Sequence, residues 1–302
     1  MKQNKQVTSD VWRVTSPVTH HASRITRRAF SLIEIMIVMA LLSVIVIGLM
    51  AMFGQVQKAF LGSVTQTDVL ESGRATTEML SRELTGVIPS QQSQVINFYS
   101  QILYPPATPQ TLPGSQANSR TNVIESLYFL TQENQTWTGY AYLVDDNGAG
   151  VGTLYRSMMS TNISGSPQNL FPIFPVTPSA NTNWHRVIDG VVQFRFRAFD
   201  ADGRWITTNL LNNTGLLKSD NIFSVVTPGE VDRYVFKSNA VPAYIEFEIG
   251  ILEKRTYERF KALPSGPPGN NPQENYLKNQ AGKTHLFRQR VPVRMVDVNA
   301  YQ

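Results

Sequence analysis

The chain contains no cysteine, which excludes disulfides, thiolate metal sites and cysteine nucleophiles together. Histidine is nearly as scarce, with four in 302 residues, of which only His185 and His285 follow residue 29. Either imidazole could serve as a general base, and neither belongs to a paired-histidine metal motif. A Gly-x-Ser-x-Gly elbow and a phosphate-cradling glycine loop are also missing, as is any sequence sign of a nucleophile beside a base. No catalytic set, metal set or cofactor is expected, so the chain does not read as an enzyme.

Charge is thin, at 16% of residues, and it is absent altogether from Ile35 to Gln57. Those 23 residues are enough for a helix to cross the hydrocarbon core of a bilayer, at about 1.5 Å of rise per residue. The formal net charge of +5 raises the question of nucleic acid, and the distribution answers it. The first 29 residues hold six of the 27 basic side chains (Lys2, Lys5, Arg13, Arg24, Arg27 and Arg28) and one of the 22 acids, Asp10, which leaves 21 of each in the remainder. The basicity is therefore a topology signal that keeps the N-terminus cytoplasmic and the bulk of the chain outside. A nucleic-acid partner is not expected.

One carboxylate interrupts the apolar segment near its start. Residues 24–53 read RITRRAFSLIEIMIVMALLSVIVIGLMAMF, and an acid such as Glu34 at the centre of a membrane helix costs roughly 2.5–3.5 kcal/mol, less towards an end. A secretory signal peptide would place its small-residue cleavage site beyond the apolar core. Here the small residue, Ala29, precedes it.

The run Arg27-Arg28-Ala29-Phe30-Ser31-Leu32-Ile33-Glu34 resembles the class III leader of type IV pilin-like proteins, although that family usually carries Gly where this chain has Ala29. The resemblance implies that a prepilin peptidase cuts between Ala29 and Phe30, that the new Phe30 amine is methylated, and that Glu34 becomes the fifth mature residue. It further implies a single-pass protein of the inner membrane, held in lipid before assembly. From there it would join other major and minor pilins or pseudopilins through an inner-membrane assembly platform. A buried amine and a buried carboxylate are costly alone and far less so when opposed. Glu34 would thus set register by meeting the Phe30 amine of a neighbour. The alternative is a plain anchor whose Glu34 snorkels to the headgroups.

The predicted fold class is α+β and pilin-like, with one long N-terminal helix packed on a C-terminal antiparallel β domain with long loops. Residues 1–29 form the leader, 30–53 the transmembrane half of the helix, 54–88 its extracytoplasmic half and 89–302 the β-rich domain. Past the membrane, Val56, Phe60, Leu70, Leu80 and Leu84 recur at helical spacing, with Thr67 and Thr77 on the same stripe, and Gly86 and Pro89 stop the helix. Gly48, Gly54 and Gly62 weaken the helix by up to about 1 kcal/mol each, permitting bending or close packing. Candidate strands are Asn122–Thr131, Thr136–Val144, Gly152–Met158, Val187–Asp200, Ala243–Glu253 and Thr284–Arg294. Long polar or proline-rich loops separate them at Tyr104–Arg120, Thr161–Asn183, Asn209–Asn239 and Leu263–Gln280.

The clearest pair is Val187–Asp200 with Ala243–Glu253. Val192, Phe194, Phe196 and Ala198 alternate with Gln193, Arg195 and Arg197, while Ala243, Ile245, Phe247, Ile249 and Ile251 alternate with Glu246 and Glu248. Opposite charge on the polar faces predicts antiparallel neighbours with their apolar faces on the long helix. The run VVQFRFRAFDADGRW from Val191 to Trp205, with Val241–Glu248 after it, resembles minor pseudopilins of the J type and type IV pilus minor pilins of the W type. That resemblance implies a subunit of a type II secretion pseudopilus, with a type IV pilus minor pilin as the alternative. From another class, a bitopic anchor presenting a binding domain remains open. The turns Asp145–Gly148 and Asp200–Gly203 read as hairpin turns, with a calcium loop as the alternative for the first. Trp184-His185-Arg186 reads as a surface patch or as the aromatic start of a strand.

Overall fold

A computed structural model of the chain describes residues 31–102, 109–111, 119–146, 148–174, 183–207, 221–227, 230–266 and 271–301. The chain divides into two units, residues 1–57 and 58–302. Helix α1 runs from Leu32 to Leu84. Its sequence is rich in Leu, Met and Ala and has no proline, so backbone propensity favours it throughout. It closes with a tightened turn in which the Gly86 N–H donates to the Glu83 carbonyl (3.0 Å) and the Val87 N–H to that of Leu84 (3.2 Å). In the first unit, every described side chain from Ser31 to Phe53 is exposed. That surface is apolar all round, and water offers it no stable covering.

In the second unit the helix buries one narrow stripe, made by Val69, Gly73, Thr76, Leu80 and Leu84. This corrects the sequence expectation. Leu80 and Leu84 are on the stripe, but Val56, Phe60, Thr67 and Leu70 are exposed. Small residues, rather than large apolar ones, make the close approach. A Cβ on Gly73 would overlap the ring of Phe287, so the missing side chain is what lets the helix settle against the sheet. By contrast, Gly48, Gly54 and Gly62 face open space.

The β domain is a nine-stranded sheet, curled into a half-barrel, in which every pair is antiparallel. Its strands in chain order are β1 (Ile96–Ile102), β4 (Glu125–Glu133), β5 (Thr136–Asp145), β6 (Gly152–Asn162), β7 (Trp184–Phe199), β8 (Ile222–Thr227), β9 (Glu230–Lys237), β10 (Tyr244–Leu252) and β11 (Thr284–Pro292). A separate short pair is formed by β2 (Pro109–Thr111) and β3 (Ser119–Thr121). The order across the sheet is β11-β10-β7-β6-β5-β4-β1-β9-β8. Its core joins Phe194, Phe196, Phe247 and Ile249 to Val69, Leu80 and Leu84 of the helix.

The predicted antiparallel pairing is present, with Glu246 opposite Arg197 and Glu248 opposite Arg195. The alternation breaks at one place. A bulge between Gly250 and Ile251 sets Ile251 opposite Val191, so Val191 joins the main core and Val192 turns to a separate cluster with Phe260 and Leu277. Those two residues belong to α2 (Lys254–Ala262) and α3 (Pro272–Lys278), the latter capped by Asn271, whose side chain accepts from the Gln273 N–H.

Several elements, among them β1, the β8–β9 hairpin, α2 and α3, lie where the sequence pattern showed none or only loop. Strand β1 carries Asn97 fully buried, its amide donating to the carbonyls of Ala240 (2.8 Å) and Ser238 (2.9 Å), so the apolar alternation is broken by a satisfied polar group. The β8–β9 hairpin and α3 fall inside predicted loops because charged or short segments there gain their order from tertiary pairing. We expect Gly73→Val to lower the unfolding free energy of the full chain in detergent by about 1–3 kcal/mol through overpacking. Chemical denaturation checks this, with Gly62→Val, which meets open space, as the control.

Candidate functional site

The site begins at the first turn of α1. Ser31 and Glu34 form a reciprocal cap: the Ser31 N–H donates to the Glu34 carboxylate (2.9 Å), the Ser31 hydroxyl donates to the same oxygen (3.2 Å), and the Glu34 N–H donates to the Ser31 hydroxyl oxygen (3.3 Å). This is a capping box, which satisfies N–H groups that a helix start leaves without partners. The carboxylate that is anomalous in an apolar run is thereby given a local partner. The signal, Ser-x-x-Glu ahead of an apolar run, was present in the sequence, and Ser31 was the residue that sequence reasoning missed. Ala29 and Phe30 lie outside the described residues.

Beyond Glu34 the helix is long and apolar enough to cross a membrane, with an 18-residue window of mean hydropathy 2.9. Ser43, polar within this window, donates to its own helix at the Met39 carbonyl (2.8 Å), so it presents no unsatisfied donor. Glu34 is the only ionisable residue of that segment.

Two ionic clusters position the second unit. Near the end of α1, Arg156 of β6 donates to Glu83 through Nη2 (2.7 Å) and Nε (3.3 Å), and Tyr142 of β5 donates its hydroxyl to the same carboxylate. Burial, reinforced by Glu83, pushes the Tyr142 hydroxyl above its ordinary range, so it remains a donor. Arg156 also lies over the Tyr140 ring, 5.0 Å from its centroid.

The second cluster covers the outer face of β7, β10 and β11, where register forms the rows Arg197–Glu246–Arg290 and Arg195–Glu248–Arg288. Glu246 accepts from Arg197 (2.8 Å) and Arg288 (2.6 Å). Burial pulls its pKa upward, but these two guanidinium groups outweigh burial and hold it below the ordinary carboxylate value. Arg290 instead stacks 3.8 Å from the Phe199 centroid and 4.8 Å from that of Tyr244. The carboxylates expected on a solvated face are thus covered by arginines.

The remaining candidates are structural. Asp146 accepts from the N–H groups of Gly148 and Gly150 (both 3.1 Å), which commits its oxygens to the turn; Asn147 lies outside the described residues. Asp200 accepts from the Arg204 N–H (2.7 Å), and Gly203 has φ +77°, as a hairpin turn requires. Trp184 opens β7 as a buried anchor, while His185 and Arg186 are exposed. His285 lies 3.8 Å from Glu253, which also meets Lys283 at 3.3 Å. Among the described residues no group of three His, Cys, Asp or Glu side chains could hold a metal.

Residues 24–50 match a family model described as the prokaryotic N-terminal methylation motif. No curated protein and no solved structure matches the chain. The motif supports a type IV pilin-like protein, processed by a prepilin peptidase and assembling with other pilins, and indicates a structural subunit rather than an enzyme. With the apolar helix it suggests a single-pass membrane anchor.

Two outcomes follow from the ionic clusters. Arg156→Ala strands the Glu83 carboxylate and should cost roughly 3 kcal/mol of stability in chemical denaturation, whereas Arg156→Ala with Glu83→Leu recovers most of it. Because the folded pKa of Glu246 is depressed, its stabilising contribution is present above the unfolded value of about 4.3 and is lost as pH falls through the folded value. Denaturation midpoints between about pH 5 and pH 3 should therefore fall less steeply in Glu246→Gln than in the unaltered chain.

Proposed function

We propose that this chain is a minor pilin or pseudopilin, an assembly subunit of a type II secretion pseudopilus. The observation that carries the reading is the capped acid at the head of a bare apolar helix, directly behind a leader motif. The basic residues before Ala29 favour a cytoplasmic N-terminus and an extracytoplasmic β domain. Cleavage between Ala29 and Phe30 would expose a new amine one residue ahead of Ser31, next to the capping box. The J-type resemblance of Val191–Trp205 and Val241–Glu248 is what favours the secretion pseudopilus over a pilus. Partners would be the peptidase, other pilins or pseudopilins and an inner-membrane assembly platform.

In this mechanism Glu34 has two successive partners. In lipid, before assembly, the carboxylate stays on Ser31 and caps its own helix. On joining the filament it turns to the methylated Phe30 amine of a neighbouring subunit, and the charge pair forms in surroundings that penalise either ion alone. A slip of one helical residue separates the pair, so the contact selects register. The exposed apolar surface that lipid covered is then covered by neighbouring helices, with no net loss of burial.

Mass spectrometry of the purified chain should find a mature N-terminus at methylated Phe30. Glu34→Ala should be cleaved normally but lose incorporation into filaments, whereas Ser31→Ala should lose only part of the cap and still be incorporated. Undiminished incorporation of Glu34→Ala would remove the register role, and an intact leader would favour a plain membrane anchor.

A further inference from the structure

The sheet ends at β11, and the pairing of that strand is one-sided. At its two ends the Lys283 carbonyl accepts from the Glu253 N–H (3.0 Å) and the Val293 N–H donates to the Ala243 carbonyl (3.0 Å). Odd-numbered residues therefore turn their backbone groups towards β10. With no register shift between the two strands, the even-numbered ones turn theirs away. The Thr284 N–H is taken by the Ala281 carbonyl, whereas Leu286, Arg288 and Arg290 each present an N–H and a carbonyl at this edge. No hydrogen bond among the described residues engages them there.

Beside the edge lies an open groove of about 750 Å³, bounded by β11 from Leu286 to Gln289 and by α1 from Arg74 to Arg82. Its helical wall carries Arg74 and Arg82, both exposed, and neither forms an ion pair among the described residues. Glu78 lies between them. Arginines on an edge strand guard it against chance pairing. They do so selectively: a second copy of β11 laid antiparallel on the first would set Arg288 and Arg290 against like charges, which is destabilising. An acidic strand meets the opposite condition.

We propose that β11 is a docking edge for an extended acidic segment of a partner protein, which joins the sheet as an additional strand beside α1. Main-chain hydrogen bonds to the free groups of β11 would supply general affinity, and the arginines would choose the sequence. Arg74 and Arg82 are eight residues apart, about 12 Å along a helix. Two strand residues four apart on one face span about 13 Å. The preferred segment thus carries two carboxylates four residues apart, with a neutral side chain between them opposite Glu78. This surface is independent of the filament reading, since no part of it uses Phe30, Glu34 or the apolar half of α1.

The test uses the full chain in detergent micelles and short synthetic peptides rich in valine and threonine. One set carries glutamates four residues apart and a matched set carries lysines. The acidic set should bind at least tenfold more tightly, with slowed amide exchange at Leu286, Arg288 and Arg290. Arg74→Glu with Arg82→Glu should weaken binding about tenfold or more, and the neutral pair Arg74→Gln with Arg82→Gln by less. Both positions are exposed, so thermal melts should match those of the unaltered chain. Binding by none of the acidic peptides overturns the proposal. So does equal binding of acidic and basic sets, affinity indifferent to the charge reversal, or protection confined to residues outside β11.

Discussion

The pairing of Glu83 with Arg156 and Tyr142 is the contact on which the second unit most depends. A carboxylate in the last turn of a helix faces the negative end of the helix dipole and is unfavourable there by itself. Here it is tolerable because β5 and β6 bring a guanidinium and a phenol to it. Ten residues earlier, Gly73 allows α1 to press on Phe287 of β11. One contact lies on the edge strand and the other on the fourth and fifth strands of the sheet, so together they fix how this part of the helix lies on the sheet. The apolar stripe between them has little freedom to pack another way.

Charge is used differently on the two faces of the sheet. On the helix side, Phe194, Phe196 and Phe247 make a dry core. On the other side, Glu246 and Glu248 are enclosed between arginines of the flanking strands. Such pairs give limited stability per contact, because desolvation offsets most of the attraction. Their effect is on specificity, since slipping β7 or β11 along β10 would take arginines off Glu246 and Glu248 and leave carboxylates without partners. The surplus of arginine over glutamate in these rows also leaves the edge of the sheet basic.

The first turn of α1 shows one side chain serving local structure and, in the proposed function, assembly. A capping box is worth about 1 kcal/mol, whereas an ion stranded in apolar surroundings costs several. An amine arriving from a neighbouring chain can therefore displace Ser31 from Glu34 without help from any further device. The cap keeps the acid satisfied in the meantime. No metal or nucleophile enters this scheme, and the chain's chemistry is that of matched charges in poor solvents.

The sequence by itself determined the local and the periodic. The charge-free run, the leader, and the strand pair β7–β10 with its Arg–Glu complementarity were all legible, because each depends on residue order within one or two short segments. The capping box was legible too, in Ser31 and Glu34, although the acid alone drew attention. What tertiary structure decided is everything that depends on residues meeting from far along the chain. The helix stripe runs through Gly73 and Thr76 rather than Phe60 and Leu70 because the approach of Phe287, some two hundred residues later, rewards a missing side chain. Strand β1 exists because carbonyls of Ser238 and Ala240 satisfy Asn97. Burial and hydrogen bonding are properties of the folded neighbourhood, and no periodicity in a single segment carries them.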